Sequence, residues 1–536
     1  MRPLALFSIC VFLAGTCQAS IITVDNDAPA DFNSIQAAID DANDGDVIVV
    51  KPGRYTGDGN RDLDFGGKPI TVRSMEPNDP DVVAATVLDG REGCHHGFIF
   101  HSGEGRDSVI DGLTITEFWG RDEFVLGHWG TAGGGVFCRG SSPTISRCMI
   151  RSNNTSISCS SDEIMWGGGG IWCDQGSSPR ILRCTFIDNY GDLMAGAIHC
   201  QDSNAVIDRC IIVDNWSDWG CGGITSFRAN LTITNCTISN NYGGGISCGG
   251  NSLVSDCTIS DNTGEGRVRA TGNTTISYCS ITGNCARRCG MQRGLHSGGI
   301  YCKDNVTVSH CLIAGNWSEL CPADEIGEEF EGNGGGIYCE SGTPTITSCT
   351  IANNLADDNG GGIYSTGNPV ITNCIVWSNA SPNEPQISGE ATVSYSNIEG
   401  RSLDEGNISA DPCFVRAGYI DNNGTPDNRW DDFWVDGDYH LKSQAGRWDA
   451  NPPLAGTWVQ DDVTSPCIDA GNPVSPVGYE PFPNGGIINM GTYGGTVEAS
   501  KSYFGEPVCE TIIAGDINGD CKVDFKDFAL MALHWL

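Results

Sequence analysis

The chain has 536 residues, with 30 Lys or Arg against 67 Asp or Glu and a formal charge of −37. Such a charge argues against nucleic acid or an anionic membrane as partner, because the summed field repels both. Its 72 glycines suit tight turns, and its 27 cysteines need a structural home.

The first residues have the plan of a secretion signal. Arg2 supplies the positive end, Leu4 to Gly15 the apolar stretch, and Cys17-Gln18-Ala19 a small-residue cleavage site before Ser20. Thr16 puts Cys17 one position too late for a lipoprotein site, so residues 1–19 predict free secretion. No later stretch has the apolar length of a membrane span. Next, Phe32, Ile35, Ala38, Ile39 and Ala42 share one face of a short amphipathic helix.

From Thr131 to Ser378 one phrase recurs about nine times. Its clearest copy is Gly334-Gly335-Gly336-Ile337-Tyr338-Cys339, then Pro344-Thr345-Ile346-Thr347-Ser348-Cys349-Thr350-Ile351, then Asn353-Asn354. The second cysteines fall at Cys148, Cys184, Cys210, Cys236, Cys257, Cys279, Cys311, Cys349 and Cys374, with shortest spacings of 21 and 22 residues. A period in this range marks a solenoid whose units bury an apolar face only by stacking. Each unit is made of short β-branched runs cut by Gly, Asn, Pro and Ser, which gives strands and turns with no room for a helix.

These phrases resemble the coils of right-handed parallel β-helix proteins of the pectate-lyase-like superfamily. The opening, Phe32 to Ile39 followed by Gly45 to Val50 and Pro52-Gly53-Arg54-Tyr55, is similar to that family's N-terminal cap. The resemblance implies an all-β right-handed parallel β-helix closed by a helical cap and followed by a small EF-hand or dockerin-like segment. It divides the chain into a signal (1–19), cap and first coils (20–75), repeats (76–400), a closing segment (401–505) and a calcium-binding tail (506–536). For function it implies little alone, since the fold hosts lyases, hydrolases, adhesins and spacers.

Fifteen cysteines occupy two repeat positions, the nine above and Cys138, Cys173, Cys200, Cys248, Cys302 and Cys339. Strand alternation turns the latter six inward, and both columns read as small buried hydrophobes. Cysteines outside the repeat (Cys94, Cys159, Cys221, Cys285, Cys289, Cys321, Cys413, Cys467, Cys509, Cys521) are the ones expected to pair in an oxidising compartment.

Four insertions enter at one point of the coil: Glu117 to Gly130, Thr155 to Trp166, Cys285 to Ser297 and Trp317 to Asn333. They should rise from one edge, where loops on a rigid scaffold carry function. The outward position of the Gly-rich strand beside them reads Phe137, Trp172, His199, Thr225, Ser247, Arg269, Tyr301, Tyr338 and Tyr364. Aromatic rings at both ends of that column suit the apolar faces of a glycan, or else steady adjacent coils. Phe137, Trp172, Tyr338 and Tyr364, with Arg287, Arg288 and Arg293 of the third insertion, are the candidate polysaccharide contacts.

The pectate-lyase calcium aspartates with R-x-P-x-x-R and the polygalacturonase signatures are absent. A different lyase still needs a base and a cation for the uronate carboxylate, for which His199, Arg269, Tyr301 and Lys303 are the candidates. A glycosidase needs two carboxylates, available among Asp174, Asp202, Asp304 and Glu340, residues that equally suit ordinary turns. A non-catalytic adhesin or spacer is the alternative reading.

The closing segment carries an acidic stretch from Asp421 to Asp438, a loop or a second calcium site. The tail places Asp516, Asn518, Asp520, Asp524 and Asp527 at positions 1, 3, 5, 9 and 12 of a calcium loop, with the Lys522 carbonyl at 7 and a helix Phe528 to Leu536 behind. This resembles one type I dockerin repeat, which implies calcium and a cohesin-like or cell-surface partner. It departs from that pattern in having Cys521 at the glycine position and one repeat instead of two. A Cys509–Cys521 bridge is expected to shape the loop.

Overall fold

The computed structural model describes residues 19–504, apart from 92, 126–127, 156–164, 265–266, 287–296, 320–331, 402–404, 426–427, 430 and 451–455, together with 515, 517 and 523–533. The secretion signal, Arg287, Arg288, Arg293, Cys509, Cys521 and the ligands Asp516, Asn518, Asp520 and Lys522 lie outside those residues. No helix among the described residues is long and apolar enough to cross a membrane.

Three short strands per coil stack into three long parallel sheets, as the repeat requires. One coil runs Ile337–Ser341 in the first sheet, Thr345–Thr347 in the second and Thr350–Ala352 in the third. Among the described residues these sheets have 12, 14 and 13 strands. Their registers are constant apart from one bulge in the first sheet, so like residues stack on like. Ile207, Ile233, Val254, Ile276, Val308 and Ile346 pair in sequence through the second sheet, all fully buried. The predicted cap is the helix Ile35–Asp41, with Ile35, Ala38 and Ile39 buried against the first coils.

Both cysteine columns are buried, and all fifteen repeat cysteines are thiols. Among the non-repeat cysteines, Cys94 is disulfide-bonded, whereas Cys413 and Cys467 are thiols. A polar column runs beside them. Asn153, Asn189, Asn215, Asn241, Asn262, Asn284, Asn316, Asn354 and Asn379 each bond the next asparagine's Oδ1 at 2.9 or 3.0 Å, until Asn379 ends on Gln386. Each Nδ2 also donates to a carbonyl of the preceding coil, such as Asn241 to Ile212 at 2.9 Å. Burying nine amides is tolerable only because this ladder satisfies them.

All four insertions lie in sequence between a third-sheet strand and the next first-sheet strand, so their described ends meet the solenoid along one edge. The first folds as an antiparallel hairpin, Arg121–Val125 with His128–Ala132, which Met165–Gly167 of the second extends in parallel.

The segment after 401 does more than close the far end. It folds back over the outside of the third sheet. Tyr439 and Trp434 pack with Leu312, Ala314 and Ala352, and the Thr492 amide donates to Thr350 Oγ1 at 3.1 Å. Trp434 lies across Gly283 and Gly315, which hold the left-handed turn position that neighbouring coils fill with Asp261 or Asn353. The acidic stretch Asp421 to Asp438 forms the hairpin Tyr419–Asp421 with Phe433–Val435. Its carboxylates serve local bonds: Asp421 to the Asn423 amide, Asp431 to Thr425, Asp436 to the Trp434 indole.

In the tail the helix is Phe525–Leu533, three residues earlier than expected. The reason is a capping box: Asp524 Oδ1 accepts the Lys526 amide, and Asp527 Oδ2 accepts the Asp524 amide, both at 2.7 Å.

Candidate functional site on the first sheet

The first-sheet column is in the expected register: Phe137, Trp172, His199, Thr225, Ser247, Arg269, Tyr301, Tyr338 and Tyr364 pair in that order. Arg269, assigned by spacing alone, takes its predicted place. What differs is exposure. Phe137 and Trp172 are buried in a small outer core with Ile99, Ala132 and Trp166, with Leu193 and Met194 packed on it. They are not open sugar platforms, because Trp166 from the second insertion, with Leu193 and Met194 from a neighbouring turn, packs in the same cluster. Tyr301 and Tyr338 are also buried, at 4% and 5% exposure, while Tyr364 is half-buried.

His199 points outward but is 0% exposed, with its ring 4.3 Å from Trp172. Burial pushes its pKa down to about 3, so the imidazole is neutral and shielded. It also stands three coils from Arg269, roughly 14 Å away at the spacing of stacked strands. The structure therefore does not bring His199 together with the other three catalytic candidates.

Those three do meet. Arg269 lies 5.6 Å from the Tyr301 ring centroid, the Tyr301 hydroxyl bonds Glu340, and Lys303 Nζ is 3.0 Å from Glu340 Oε2. Glu340 gets there through a register shift between Cys302 and Lys303, which pairs Lys303 with Ser341. The bulge re-aims the extra side chain at its neighbours. Burial pushes the Glu340 carboxyl up, but the Tyr301 hydroxyl, Lys303 and Arg269 outweigh it and hold the group below its ordinary range. Burial first, and then Glu340, raise the Tyr301 phenol. At neutral pH the cluster is therefore two cations, a carboxylate and a protonated phenol.

Between the covered aromatics and this cluster lie two coils with no insertion, Thr225 and Ser247 forming the floor. Sequence reasoning passed over the residues that flank that floor. Phe227 is 51% exposed, and Arg228 sits 5.1 Å from its ring while bonding Asp202 at 2.8 Å. Phe227 stands in register with Gln201, and Arg228 takes the left-handed turn position that Asp202 holds one coil earlier.

The glycosidase candidates are not grouped as a catalytic pair. Asp202 and Asp304 hold left-handed turn positions. Asp174 is nearly closed off and clamped by Arg139, which also holds Glu123 of the inserted hairpin at 2.9 Å. Among the described residues no group of three or more His, Cys, Asp or Glu is placed to hold a metal.

Residues 91–250 and 216–400 match the model described as right handed beta helix region. The chain belongs to that family. Residues 383–471 of this β-helix protein also match a model described as disaggregatase related. No curated protein matches it in sequence. Among solved structures, it is similar to pectate lyase Pel9A at 16% identity and a TM-score of 0.36, covering 89% of this chain and 97% of that one. An alginate lyase from Paenibacillus sp. str. FPU-7 gives 12% identity and 0.26, covering 70% and 99%. A rhamnogalacturonan lyase gives 13% identity and 0.26, covering 74% and 91%.

Proposed function

We propose that this β-helix is a secreted protein that binds and processes an acidic polysaccharide on the open stretch of its first sheet. One observation carries the reading: on a chain of charge −37, Arg269 and Lys303 converge with Tyr301 and Glu340 beside a floor of small residues. Paired cations neutralise a uronate carboxylate, which is what elimination next to that carboxylate demands. The incoming carboxylate takes the place of Glu340 at Lys303. The freed Glu340 carboxylate takes the proton next to the uronate carboxylate, and the glycosidic C–O bond breaks as the C=C bond forms. The Tyr301 phenol gives its proton to the leaving oxygen and is reprotonated afterwards from Glu340. The tail serves as a calcium-dependent attachment segment for a cohesin-like or cell-surface partner, a reading supported by its spacing of oxygen-bearing residues.

The test is a panel of polyuronates and neutral polysaccharides, followed by absorbance of unsaturated products and by reducing ends. Arg269→Ala and Lys303→Ala should each cut turnover on a polyuronate at least a hundredfold with the fold unchanged. Wild-type turnover in both variants would remove this cluster from the mechanism.

A further inference from the structure

We infer that Phe227, braced by Arg228, is the platform of a second sugar subsite, so that the ligand is a chain of linked pyranose rings lying along the solenoid from Phe227 to Arg269. The inference rests on the reading of Arg269 and Lys303 as a uronate site.

Four observations lead there. Phe227 is a large apolar side chain left 51% exposed, while Phe137, Trp172 and Tyr338 of the outward column are buried. The chain covers those aromatic rings and leaves this one open. Its coil is one of the two shortest, with no insertion to cover it. The next coil places Gly249 at the position following Cys248, and a Cβ there would meet Thr271 Oγ1 at 2.4 Å. On its next-coil side Phe227 therefore faces Gly249, over which Thr271 Oγ1 leans, and on its other side it pairs with Gln201. Lastly, the guanidinium of Arg228 is fixed by Asp202 at 2.8 Å and lies 5.1 Å from the Phe227 ring. An aromatic ring next to an anchored donor suits a pyranose, which offers a C–H face and hydroxyl or carboxylate oxygens at its rim.

Phe227 and Arg269 are two coils apart, roughly 10 Å at stacked-strand spacing, which two linked pyranose rings bridge. The occupant is a sugar chain and not a protein segment, because the surface between is polar and continuous with cations at both ends, Arg228 and then Arg269 with Lys303. An apolar peptide would strip water from the Arg228–Asp202 and Lys303–Glu340 pairs and from the Arg269 charge without offering polar groups in return.

The test uses the full chain, calorimetric titration and two probe sets, galacturonate and mannuronate, each as monomer and tetramer. Phe227→Ala should weaken tetramer binding at least tenfold, leave monomer affinity within twofold, and leave thermal unfolding unchanged. Phe227→Trp should restore the tetramer. Arg269→Ala should weaken both monomer and tetramer. If Phe227→Ala binds tetramer like wild type while Arg269→Ala does not, the platform is wrong and the uronate site stands. If Phe227→Ala weakens the tetramer and Arg269→Ala changes nothing, the uronate site is wrong, and with it the inferred span. Failure of the wild type to bind any probe overturns both.

Discussion

At the scale of single residues, buried polar groups decide how this chain responds to change. Asn241 sits mid-ladder: its Oδ1 accepts both Asn215 N and Nδ2 at 3.0 Å, and its Nδ2 donates to Asn262 and Ile212 at 2.9 Å. Asn241→Ala strands several buried donors and acceptors at once, each costing about 1–3 kcal/mol. Loss of at least about 3 kcal/mol in denaturant unfolding is the expected result. A change under 1 kcal/mol would mean that the ladder contributes little. His199 poses a different problem. Its folded pKa of about 3 lies below its unfolded value near 6.5. The unfolded chain therefore binds the extra proton between those values, and stability falls as pH drops through them. His199→Phe removes that contribution, so the variant should lose about 3 kcal/mol less than wild type between pH 7 and pH 4. Parallel acid-unfolding curves for the two proteins would show that His199 is not shielded.

At the scale of elements, the coils were legible and their coverings were not. Spacing from Cys279 back to Ala270 placed Arg269 correctly, because a parallel register repeats the same residue position coil after coil. It said nothing of burial, since Leu193 and Met194 cover Trp172 from a neighbouring turn, a contact outside the repeat. Glu340 was named as a turn carboxylate, but the bulge that aims it at Tyr301 and Lys303 leaves no mark in composition. The fold-back of the closing segment was also missed, although Gly283 and Gly315 bear its trace: they replace Asp or Asn only where Trp434 lies. Gly315→Ala puts a Cβ within 2.2 Å of the indole at a φ of +65°, so both sterics and backbone oppose it. This variant should release the segment after 411 to limited proteolysis and leave the coils resistant. Unaltered cleavage would mean that Trp434 is not an anchor. The segment is pH-sensitive as well. Burial lifts Asp469 to about 6 and Glu480 to about 7. Both values exceed those of the unfolded chain, so the folded segment binds more protons and loses stability as pH rises from about 4 to about 7. Proteolysis there should be faster at pH 8 than at pH 5, and Glu480→Gln should flatten the difference. The opposite order would contradict the assigned shifts.

At the scale of the whole molecule, the solenoid is a stack in which one position recurs from coil to coil, so the inward-facing members of a column share nearly the same buried environment. The fifteen repeat thiols test this best. Each is buried, and a thiol reacts with a disulfide reagent only as the accessible thiolate. Burial pushes Cys248 up to about 12, and hydrogen bonds between neighbouring thiols, with burial added, raise Cys173 and Cys200, so these three thiols are both covered and held un-ionised. A solenoid that frayed coil by coil would release its thiols a few at a time, whereas one held by continuous ladders across its length releases them together. Titration with a chromogenic disulfide across a denaturant series should therefore show almost no repeat thiol reacting in the folded protein. At least fifteen should then appear across one transition that coincides with loss of the far-ultraviolet strand signal. Graded release well below that transition would show that the columns are not continuous.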